Sequence, residues 1–84
     1  MRPEDILAED ANYGVIDGVR VRKGSIAAFL ANARILLDER QSNEAHREAE
    51  RHLRELVPGV RAFGLFDVCE VRNPRLRALI ESVV

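Results

Sequence analysis

The sequence predicts a small α+β domain over residues 1–84, mainly helical, with an N-terminal β-hairpin, room for a third short strand, and three helices. Three observations lead there. Asp17-Gly18 separates two β-branched runs by two residues, the strongest short-range hairpin signal. Apolar residues then recur at three-and-four spacing from Ile26 to Leu37, and again from Leu76 to Val83 behind an Asn73-Pro74 helix start.

Residues 1–11 place Pro3, Glu4 and Asp5 where a first helical turn tolerates a missing donor and favours negative charge, so a short helix is expected there. Residues 13–23 read as the hairpin, with Val19 and Val21 inward and Arg20 and Arg22 on the opposite face. Gly24-Ser25 stops the second strand, and the Ser25 hydroxyl is placed to accept from a free amide of the next helix. That helix is expected over 26–39. Ile26, Phe29, Leu30, Ala33, Leu36 and Leu37 form one face, and Ala27, Ala31 and Ile35 widen it over most of the circumference. Such a helix is either the centre of the domain or is partly covered by another subunit.

Ser42 or Asn43 caps a helix over 44–57, whose narrow apolar face is Ala45, Ala49, Leu53, Leu56 and Val57. Its other positions are nearly all charged. Glu44 with Arg47, Glu48 with Arg51, Glu50 with Arg54 and Arg51 with Glu55 stand where opposite charges meet, each worth about 0.2–0.5 kcal/mol. Pro58-Gly59 is expected to end this helix or to begin a fresh turn. Residues 60–71 are ambiguous, because Val68 and Val71 favour a strand while Phe63, Leu65 and Phe66 suit anchors in a loop. A last amphipathic helix follows Asn73-Pro74 to the chain end.

Composition narrows the function classes. Apolar residues make up 46% of the chain, a globular proportion rather than a disordered one. A chain of 84 residues has a narrow stability margin without a disulfide, a metal or a partner chain, and the lone Cys69 excludes an internal disulfide. A net charge of -1 supplies no overall field for nucleic acid or anionic lipid. Every basic residue but Lys23 is Arg, which fits a GC-rich coding sequence at least as well as a demand for bidentate donors. No stretch resembles a signal peptide or a membrane span, so a cytoplasmic protein with a reduced Cys69 is expected.

The chemistry-bearing residues are few. His46 and His52 lie about 120° apart around one helix and cannot share a metal from it, so no metal or other cofactor is expected. Cys69 sits among apolar neighbours and reads as a small buried hydrophobe rather than a nucleophile, since no base is in view. Glu9-Asp10 and Asp38-Glu39 are sequence neighbours that point apart on a helix, which argues against acid/base partners. The stronger candidates are two basic clusters. Arg20, Arg22, Lys23 and Ser25 precede a helix start and could hold an anion, although alternate Arg residues on a hairpin are also an ordinary solvated face. Arg72, Arg75 and Arg77, with Arg61 nearby, form the second, and a polyanion site requires the two to share a face.

The stretch from Asp17 through Gly18, Val21, Gly24, Ser25 and Ile26 to Ala27-Ala28 resembles a D-G-x-x-V-x-x-G-S/T-I/V-A-A segment of small uncharacterised bacterial proteins. Gly64-Leu65-Phe66-Asp67-Val68 is similar to another such segment. The resemblance implies a bacterial origin and no particular chemistry. The leading expectation is therefore a non-enzymatic protein-protein interaction or regulatory module, homodimeric, with a second copy of itself or another protein as partner. The alternative is nucleic-acid or phosphate-ligand binding through the Arg clusters. An enzyme comes third, because no acid, base and nucleophile converge.

Overall fold

The computed structural model describes residues 13–16, 18–22 and 24–83, with the backbone alone at Tyr13, Ile16, Arg20, Val21 and Arg22. The short helix expected over 1–11 lies outside the described residues, as do Asp17 and Lys23.

The molecule is mainly helical, which corrects the α+β expectation. Among the described residues four helices occupy more than half of the chain, where three were expected: α1 (Ser25–Leu37), α2 (Asn43–Phe63), α3 (Leu65–Val68) and α4 (Pro74–Ser82). Strands β1 (Tyr13–Ile16) and β2 (Val19–Arg22) pair antiparallel only with each other, from Tyr13 opposite Arg22 to Ile16 opposite Val19. Such a four-residue ribbon, laid against α2, supplies no β layer on which helices could stack.

Residues 60–71 form no third strand. Val60 lies in the last turns of α2 and is fully buried, and Gly64, at φ 88°, turns the chain into α3. Burial at helical spacing outweighs the strand preference of Val60, while Val68, 84% exposed, has no pleated surface to pack on.

Helix α2 also runs six residues past its expected end at Val57, straight through Pro58-Gly59. Ala49, Leu53, Val57 and Val60 form one continuous stripe that is entirely buried, so breaking the helix at Pro58 would pull Val60 out of the core. Pro58 itself is exposed, and the Arg54 carbonyl deprived of an amide partner can be hydrated.

Against that stripe α1 sets Phe29, Ala33 and Leu36, and α4 sets Leu76, Leu79 and Ile80. Phe66 from α3 meets Phe29 edge to face, ring centroids 6.0 Å apart. The caps are local: Ser42 Oγ accepts from the Ala45 N–H at 3.0 Å, and Asn73 Oδ1 accepts from the N–H groups of Arg75 and Leu76. Gly24, not Ser25, is the N-cap of α1, and Ser25 is buried as its first residue.

Candidate functional site

Helix α1 has apolar side chains on more sides than the fold covers. Its core stripe is Phe29, Ala33 and Leu36, and at about 100° per residue Leu30 and Leu37 stand roughly a quarter turn away from it. Leu30 is 53% exposed and Leu37 36%, and Ala27 and Ala31 on the outer side are exposed as well. Leu30, Ala33, Arg34, Leu37, Asp38 and Arg40 line a shallow groove along this face.

The groove carries both signs of charge. Arg40 grips Asp38 with two guanidinium bonds of 3.0 and 3.2 Å and with its backbone N–H. The Arg40 side chain, and after it the Arg40 backbone N–H, holds the Asp38 carboxyl below the ordinary aspartate range. Arg34, one turn before Asp38, is exposed and has no ion pair among the described residues.

Three of the basic residues around the last helix are engaged by groups of their own chain. Arg75 donates to the Leu36 carbonyl at 3.2 Å, and Arg77 turns back onto the Val71 carbonyl and the Glu70 carboxylate. Arg61 donates to the carbonyls of Ile80 and Val83, each at 3.0 Å. These forks point to different partners, and only Arg72 of the cluster is exposed with no hydrogen bond among the described residues. In the first cluster, Ser25 is buried; the side chains of Arg20 and Arg22 and all of Lys23 lie outside the described residues.

Cys69 is exposed at the end of α3, which corrects its expected burial: α3 lasts four residues, and Cys69 leaves it in extended backbone. His52 stays on the charged face of α2 beside Glu48 and Arg51. Among the expected charge pairs, Glu48–Arg51, Glu50–Arg54 and Arg51–Glu55 form, whereas Glu44–Arg47 is not among the ion pairs of the described residues. No three His, Cys, Asp or Glu side chains among the described residues are grouped to hold a metal ion. No helix among them is long and apolar enough to cross a membrane.

Sequence reasoning missed how the helix ends are held. His46 Nε2 lies 2.7 Å from the Asp38 carbonyl, and with Arg75 it serves the C-terminal carbonyls of α1, while Arg61 serves those of α4. The partners lie 8 to 39 residues apart, so no local motif announces them. Comparison with protein-family models, with curated proteins and with solved structures gives no match, and any function must be argued from these residues.

Proposed function

We propose that this chain is a non-enzymatic protein-protein interaction module of the cytoplasm, a regulatory or adaptor unit that works as a homodimer. The observation that supports this is the outer face of α1, where Leu30, Leu37, Ala27 and Ala31 remain in contact with solvent. Covering them gains roughly 25 cal/mol for each Å² of apolar surface removed from water. In a chain of 84 residues, whose own core leaves little margin, that gain stabilises the fold as well as the assembly. Polyanion binding has less support, since Arg61, Arg75 and Arg77 are engaged with carbonyls of their own chain.

Sedimentation equilibrium under reducing conditions, from micromolar to near-millimolar protein, tests the reading. Concentration-dependent mass rising above 9.5 kDa is expected, and a clean monomer throughout removes it.

A further inference from the structure

Resting on that reading, we infer that the groove of α1 receives Leu37 of an antiparallel second copy, with Arg34 of each copy facing Asp38 of the other. Four of the groove residues, Leu30, Ala33, Arg34 and Leu37, stand at i, i+3, i+4 and i+7. This is the four-residue hole into which a facing helix inserts one side chain. Ala33, short and 6% exposed, is its floor, and the two leucines wall its ends. The knob it fits is apolar and of leucine size.

The same face carries such a knob. Leu37 projects at the edge of the groove, so one surface holds both the projecting group and the recess, as a two-fold interface requires. Seating Leu37 of one copy midway between Ala33 and Arg34 of the other fixes the axial register. At 1.5 Å rise per residue, Asp38 of one copy then lies within about 2–3 Å, along the helix axis, of the level of Arg34 in the other.

Charge selects the orientation. A parallel two-fold pair sets Arg34 against Arg34, whereas the antiparallel pair sets each Arg34 against an aspartate that Arg40 already keeps ionised. The groove is lined by six residues, against the roughly 20–30 per side of a standard interface, so a weak dimer is expected.

The test is sedimentation equilibrium under reducing conditions on the full chain and its variants, with far-UV circular dichroism confirming helical content. Leu37→Glu is expected to leave no dimer at the highest concentration. Arg34→Glu and Asp38→Arg, each alone, are expected to weaken association about tenfold by setting like charges against each other. Mixing these two single variants is expected to restore a heterodimer within about twofold of wild-type strength, because each copy then supplies the charge the other lacks. A wild-type dimer that persists with Leu37→Glu, or a mixture no stronger than its components, overturns this geometry and leaves self-association standing. A wild-type monomer throughout overturns both.

Discussion

Arg75, in the first turn of α4, donates through Nη1 to the carbonyl of Leu36 in the last turn of α1, 39 residues earlier in the chain. The bond ties the start of α4 to the end of α1, and it sets a cation at the negative end of the α1 dipole. Losing a hydrogen bond from a charged donor costs about 1.5–3 kcal/mol when it is well buried, and the exposure of Arg75 brings the expected cost of Arg75→Ala down to about 1 kcal/mol. Arg75→Lys should recover part of it. Urea unfolding of the three proteins measures both, and an unchanged midpoint for Arg75→Ala would show that water serves the carbonyl equally well.

Gly64 holds the junction of α2 and α3 at φ 88°. A Cβ there would come no closer than 3.6 Å, to Asp67 Oδ2, so space does not forbid a side chain. The left-handed backbone does. Gly64→Ala is therefore expected to destabilise by about 1–2 kcal/mol, and Gly64→Asn, which tolerates this region better, by less. Thermal unfolding of both variants ranks them.

Pro58 gives the opposite sign. An interior proline is about 3 kcal/mol less favourable than alanine in a helix, and this one is exposed and carries no core contact of its own. Against that gain, Pro58→Ala frees the unfolded chain by about 0.4–1 kcal/mol, so a net stabilisation of about 2 kcal/mol is expected. A lowered urea midpoint would mean that the proline fixes a bend the core depends on.

Why α2 passes Pro58 also shows how far the sequence was legible. The starts of α2 and α4 could be read because Ser42 and Asn73 act on amides two or three residues away. The end of α2 could not, because it depends on Val60 reaching a core built by α1 and α4, which no window around Pro58 contains. The same limit turned residues 60–63 and 65–68 of the candidate strand into helix. For the candidate site, the excess apolar surface of α1 was visible as a stripe too wide for one neighbour, and Leu30 and Leu37 remain partly exposed. The sequence left the role of the Arg residues open because a guanidinium is equally suited to an external anion and to a helix-end carbonyl of its own chain. Only the folded arrangement distinguishes the two for Arg61, Arg75 and Arg77.

Cys69 lies in the open. Its thiol should be modified by a maleimide in the native protein at a rate close to that of the urea-unfolded chain at the same pH, with one label per chain. Labelling that waits for unfolding would place the residue under cover, either of the chain itself or of a second copy.

Asp38 links the α1–α2 turn to acid stability. The Arg40 side chain, the Arg40 backbone N–H and the Gln41 side chain all favour its ionised form, so its folded pKa lies below the value of about 3.9 expected in the unfolded chain. A depressed carboxylate contributes stability that is fully present above the unfolded pKa and is lost as pH falls through the folded one. Glu48, lowered first by its hydrogen bond to Arg51, acts in the same direction on α2. Asp38→Asn should therefore be less stable than wild type near neutrality, and the gap should narrow as pH drops below about 4. Urea midpoints for the pair measured from pH 7 to pH 2.5 check this, and a gap that stays constant across that range would mean the Arg40 contact depends on the shape of the side chain and not on its charge.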